Sequence, residues 1–299
     1  LQSADPGSIF SIGPGDRIRG AGLPEEGNTM AKRTVATTSQ QIPAQSDLMD
    51  RMREHAGAGL DTIGAQDLLI PRLTILQGLS PQVAQGRPEY DPNARVGQIY
   101  DVGLREAFPN GVRIVIAHYT KVWNEWMPRG SSNKGIVRAH TSNAIMSNTR
   151  PGENGQPTLP NGNVIMETAE FYALNVTARG RKTFIPMAST QLKEAKRINT
   201  YITSEEVTSP DGKVFRPPIF YRTYDLSTVP TSNAKGTWMI WKVERGPLLS
   251  EIEGAVQLFE EAVRFREAIV GGKVRGDMSD GEAEGGEDVQ QGRRNEGPL

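Results

Sequence analysis

The chain has 299 residues, 36% of them hydrophobic, with 32 glycines and 20 prolines; that is room for one large domain or two small ones, with part of the sequence outside any packed core. The absence of cysteine excludes disulfides, thiolate zinc sites, iron–sulfur clusters and cysteine nucleophiles, and no apolar run or leading signal predicts contact with a membrane, so an intracellular, cytoplasmic chain is expected. The net charge of −1 divides unevenly, as −2 over residues 1–99, +7 over 100–245 and −6 over 246–299, which suggests a polyanion-binding body followed by an acidic end.

Residues 1–62 read as a largely disordered leader. Met30-Ala31-Lys32-Arg33 has the look of a native start after the Gly/Pro-rich residues 1–29. The one helix expected there runs from Ser46 or Asp47 to about His55, before Gly57 and Gly59 stop it. Residues 63–247 are expected to form the binding domain.

Within that domain, Val112 to Trp126 alternates as a long strand. Val112, Ile114, Ile116, His118, Val122 and Trp126 share one parity, and Arg113, Tyr119, Lys121 and Trp123 share the other. A Gly/Pro/Asn-rich loop follows over 148–163. Phe171–Arg179 reads as a second strand, and Gly180 turns it into a partner at Thr183–Met187, with Arg179, Arg181 and Lys182 at the tip.

Ser189 or Thr190 can cap a helix reaching Thr203, with Lys193, Lys196 and Arg197 on its polar side. Ser209-Pro210-Asp211-Gly212 is a turn, and strands follow at Ile219–Leu226 and Thr237–Glu244. An amphipathic helix, about Leu248 to Ile269 within a segment 248–272, carries an apolar stripe of Leu248, Ile252, Ala255, Val256, Phe259 and Val263. Residues 273–299 form the expected disordered acidic tail, with six acids and no base between Asp277 and Asp288.

Catalytic signatures are missing. The three histidines, His55, His118 and His140, form no zinc spacing, and no phosphate-binding glycine loop or nucleophile elbow occurs. His118, on the apolar parity, reads as a hydrogen-bonded core histidine, and Glu205-Glu206 as a solvated helix end. No enzyme, cofactor or metal is therefore expected. Binding of unpaired strands instead needs cations for phosphates and aromatic faces for bases. The candidates are Arg113, Tyr119, Lys121, Trp123, Phe171, Arg179, Arg181, Lys182, Lys193, Lys196, Arg197, Trp238 and Lys242. Trp123 and Trp126, like Trp238 and Trp241, have opposite parity, so one of each pair must leave the inner face.

The string Asp67-Leu68-Leu69-Ile70-Pro71-Arg72-Leu73-Thr74-Ile75-Leu76-Gln77 is followed by Ser80-Pro81 and by Tyr119-x-x-x-Trp123-x-x-Trp126. Ser189-Thr190-Gln191-Leu192-Lys193 and Asn233-x-x-Gly236-x-Trp238 complete the set. Together these resemble proteins of tailed bacteriophages encoded near replication genes. The architecture is similar to the phage replication single-stranded DNA-binding proteins, in which an OB-fold barrel precedes a helix and an acidic tail. The resemblance implies a mainly β (α+β) fold, an OB-fold-like antiparallel β-barrel with packed helices and disordered termini. It further implies a non-catalytic protein in the host cytoplasm that binds single-stranded DNA without strong sequence preference. It leaves room for a homo-oligomer and for phage replication proteins recruited by the tail. In known members the tail ends in an aromatic or Pro-Phe terminus; here the chain continues past Asp288 to Arg293, Arg294 and Leu299. The alternative is a phage virion or assembly protein whose aromatic face meets a neighbouring subunit. A metal-dependent nuclease and a helix-turn-helix protein lack supporting residues.

Overall fold

The structure, a computed structural model, describes residues 45–62, 70–128, 135–152, 155–234 and 236–276. The chain divides into two units, Leu1–Gly59 and Leu60–Leu299. The expectations for residues 1–44 and for the acidic segment 277–299 lie outside the described residues. Within the first unit, α1 (Gln45–Glu54) is an exposed helix carrying the i,i+4 pair Asp47–Arg51, close to the expected bounds.

The second unit is mainly β and built from antiparallel pairings. Its principal strands are β1 (Leu73–Ile75), β2 (Ile99–Asp101), β3 (Glu106–Phe108), β4 (Val112–Trp126) and β5 (Ile136–His140). After the two-residue strands β6 (Arg150–Pro151) and β7 (Pro157–Thr158) come β8 (Val164–Asn175), β9 (Arg181–Ala188) and α2 (Leu192–Thr203). The last described elements are β10 (Val207–Thr208), β11 (Val214–Phe215), β12 (Arg222–Asn233), β13 (Gly236–Leu248) and α3 (Ala255–Val270). The large sheet runs β13-β12-β4-β8-β7-β6, with β5 beside the far half of β4 and β9 beside the far half of β8.

This sheet curls into an OB-like half-barrel, and the small sheet β1-β2-β3 spans its open side. At one margin the Phe184 amide donates to the Pro71 carbonyl at 2.9 Å. At the other, the Gln77 side-chain amide pairs with both the N–H and the carbonyl of Met239, each at 2.9 Å, imitating a strand partner. Inside lie Leu73, Ile99, Ile114, Phe171, Ile185, Tyr224, Trp241 and Ile198 of α2. The outer face of β4, β8 and β9 is covered by α3, where Val115, Tyr172, Leu174 and Phe184 meet Ala262 and Phe265. Among the described residues no helix is long and apolar enough to cross a membrane.

Several boundaries differ from the sequence reading. β8 starts at Val164 and stops at Asn175, since residues 176–180 form the turn in which Arg179 (φ 57°) and Gly180 (φ 77°) are left-handed. Ser189–Gln191 is a 3₁₀ turn that delays α2 to Leu192, with no side-chain cap. Ile219–Tyr221 is likewise 3₁₀, so β12 begins at Arg222. The last helix starts only at Ala255 and buries Ala262 and Phe265, leaving Val256 and Phe259 outside; its buried stripe is one position further round than expected. The turn at 209–212 joins β10 to β11, as anticipated.

Candidate nucleic-acid interface

The pairing of β4 with β8 slips between Ile116 and His118. The bulge inverts the alternation, because one extra residue moves every later side chain to the other face. Before it, Val112, Ile114 and Ile116 point inward, while Val115 and Ala117 point toward α3. After it, Tyr119 turns inward, its ring 5.1 Å from Phe171. His118 turns outward, 6.2 Å from the Tyr172 ring. His118 is therefore not the core histidine expected; it is half-buried, and desolvation, with Arg266 adding to it, holds its pKa below the ordinary imidazole value.

Beyond Tyr119 the inward face of β4 leaves the apolar core and becomes a polar platform. Register places Lys121 opposite Ala169, Trp123 opposite Glu167 on one side and His140 on the other, and Glu125 opposite Arg138. Lys121 Nζ bonds Glu167 Oε1 at 2.9 Å and lies 5.9 Å from the Trp123 ring centroid. The Glu167 bond raises the Lys121 pKa. Trp123, half-buried, lines a depression of about 260 Å³ with Met146, Pro157, Met166, Glu167, Ser189 and Leu192. Arg138 is exposed, with no ion pair among the described residues.

The platform's rim is organised by Glu125. Its buried carboxylate accepts from Asn163 Nδ2 at 2.6 Å and Asn161 Nδ2 at 3.5 Å, and His140 Nε2 lies 2.9 Å away. These bonds, Asn163 first, hold the carboxyl below the usual glutamate range. One side chain thus ties β5 and the β7–β8 turn to β4.

The other predicted residues are dispersed. Phe171 is fully buried, so it presents no face to a base. Arg113, before the bulge, faces outward and grips Asp225 with two bonds of 2.7 and 3.0 Å. Arg181 reaches Glu106 at 2.6 Å and the buried Asp101 at 3.5 Å; Lys182 pairs with Glu261 of α3 at 2.8 Å. Arg197 pairs with Glu194 at 3.1 Å and Lys242 with Glu244 at 3.0 Å. Arg179, Lys193 and Lys196 are exposed, with no ion pair among the described residues. Trp126 and Trp241 are the buried members of their pairs, Trp123 and Trp238 the half-buried ones. Trp238 lies on the two-stranded ribbon that β12 and β13 form past the last β4 pairing at Leu226, away from Trp123.

The structure thus joins Tyr119, Lys121 and Trp123 to residues outside the sequence-predicted binding set: Glu125, Arg138, His140, Met146, Met166 and Glu167. The alternation of Ile136-Val137-Arg138-Ala139-His140 was the available signal for β5. A family model described as Pam3 phage gp34-like protein matches residues 36–275. No curated protein and no solved structure matches the chain.

Proposed function

The chain belongs to the Pam3 phage gp34-like family, and we propose that it is a non-catalytic single-stranded DNA-binding protein of a phage replication or recombination module, acting in the host cytoplasm without a cofactor. The observation that carries this reading is Trp123: a half-exposed indole outside the core, with Lys121 beside it and the exposed Arg138 on the neighbouring strand. An unpaired base stacks on the indole, and the cations follow the phosphates. Lys193 and Lys196 on α2 extend the cationic side, since Leu192 at the start of that helix lines the same depression as Trp123.

Lys121 must exchange Glu167 for a phosphate. Both side chains are over a third exposed, and such surface pairs contribute only about 0–1 kcal/mol, so the exchange costs little. The acidic residues between Asp277 and Asp288 are a tethered competitor for the same cations and a recruitment site for replication proteins. The structural alternative, a virion or assembly protein, is favoured by the apolar residues exposed along α3.

A fluorescence anisotropy titration of labelled oligo-dT at two salt concentrations tests the proposal. The log of the binding constant should fall with log salt, by about 0.7 per phosphate neutralised. A salt-independent signal, or equal affinity for duplex, ends the reading.

A further inference from the structure

The depression beside Trp123 has the size of a single ring system. At about 260 Å³ it lies below the roughly 300–1,000 Å³ of pockets that enclose drug-sized ligands, so it takes one base rather than a longer stretch of a strand. Its lining is mostly apolar, Trp123, Met146 and Leu192 included, with three polar side chains, Gln156, Glu167 and Ser189. Only Glu167 among them is charged. It stands directly opposite Trp123 in the β4–β8 register, and Cβ atoms of such pairs are about 5 Å apart, so a ring stacked on the indole turns one edge toward the carboxylate. Lys121 bonds Oε1 of Glu167 at 2.9 Å, and Oε2 accepts no hydrogen bond from any described residue.

An ionised carboxylate repels phosphates and only accepts hydrogen bonds, so beside a stacking ring it favours a base rich in donors. When Lys121 turns to a phosphate, both oxygens of Glu167 are left at the margin of the depression. Guanine alone of the four bases presents two adjacent donors, N1–H and the N2 amine, on the Watson–Crick edge that an unpaired base exposes. Thymine sets its N3–H between two carbonyls, and adenine and cytosine each place a ring-nitrogen acceptor beside their amino group. We infer that Trp123 and Glu167 form a guanine-preferring subsite, in which the base stacks on the indole and the carboxylate accepts from N1–H and the N2 amine. The inference rests on the single-stranded DNA reading and adds a base preference to it.

Competition anisotropy with the full chain tests it, using a labelled oligo-dT displaced by oligomers of the same length that carry one central guanine or one central inosine. Inosine keeps the guanine ring system and its N1–H and lacks only the N2 amine, so stacking is the same in both. Guanine should compete about tenfold better, the worth of one hydrogen bond to a charged acceptor. In Glu167→Ala, which removes that acceptor, the guanine-to-inosine ratio should fall to about one. Equal competition by the two oligomers on a chain that binds oligo-dT overturns the subsite and leaves the single-stranded DNA reading intact; binding of none of the oligomers overturns both. A guanine preference that survives Glu167→Ala also overturns the subsite, because another group would then be reading the amine.

Discussion

Arg113 and Tyr119 project from opposite faces of β4 although they are an even number of residues apart, because the bulge between Ile116 and His118 separates them. Arg113 is committed to Asp225 on the outer face, and Tyr119 leads into the platform that carries Lys121 and Trp123. A single strand therefore supplies the floor of the core and a separate solvent-facing surface, joined at one irregular residue.

Trp123→Ala should weaken oligo-dT binding by roughly 1–3 kcal/mol with the melting temperature nearly unchanged, because the ring lies at the edge of the core. Trp241→Ala, at a core position 2% exposed, should instead cost about 3–5 kcal/mol of stability. Parallel anisotropy and thermal melts separate the two effects; equal destabilisation by both would make Trp123 a core residue.

Glu125→Ala leaves the amides of Asn161 and Asn163 without their shared acceptor, and should cost about 1–3 kcal/mol in urea denaturation at neutral pH. Because the folded-state pKa of Glu125 is depressed, its contribution is present above the unfolded value and is lost as pH falls through the folded one. Glu125→Ala and the parent chain should therefore converge in stability on acidification below the ordinary glutamate range.

Glu170 behaves in the opposite sense. Burial pushes its pKa from 4.5 up to about 7, against a weak 3.4 Å hydrogen bond donated by Tyr172 and the nearby Arg275. Between those values the folded chain holds a proton that the unfolded chain has released, so stability falls as pH rises through this window and levels off above it. Glu170→Gln should match the parent near pH 5 and exceed it at pH 8 by about 1–3 kcal/mol. Equal stability of the two at pH 8 would show that Glu170 is ionised at no cost.

Deleting residues 277–299 should tighten oligo-dT binding, most at low salt, where a tethered polyanion competes most effectively for the same cations. Anisotropy titrations of both forms at about 20–50 mM and about 200 mM salt check this. A truncated chain that binds no more tightly at the lower concentration would remove the competitor.

Local rules carried much of this architecture. Strand β4 begins at Val112 and ends at Trp126, where the alternation ends; the 209–212 turn and the Gly180 hairpin lie where their glycines require them. Opposite parity required one tryptophan of each pair to leave the inner face, and in each pair one is buried and the other half-buried. What it could not locate was the bulge, because a single extra residue leaves no compositional mark and yet reverses every side chain after it. Hence Arg113 was grouped with Trp123, and His118 with the core. Phe171 failed for a related reason: both faces of β8 are buried in its second half, one under the barrel and one under α3, so neither parity there is wet. Arg138 and Glu167 came to Trp123 through cross-strand register, which is a property of pairing rather than of either segment.

Gly276 forms a parallel bridge with Ile70, its amide donates to the Tyr172 hydroxyl at 3.3 Å, and a Cβ in its place would overlap the Phe184 ring. That close seating fixes the point from which residues 277–299 depart, on the same side of the sheet as α3. At the full extension of a polypeptide those residues have a contour length of about 80 Å, against a radius of gyration of about 18 Å for a domain of this size. Leverage, not reach, is then set by the anchor: a bulkier residue at 276 would clash with the Phe184 ring and unseat this point from the sheet, and the separation between tether point and platform would no longer be fixed.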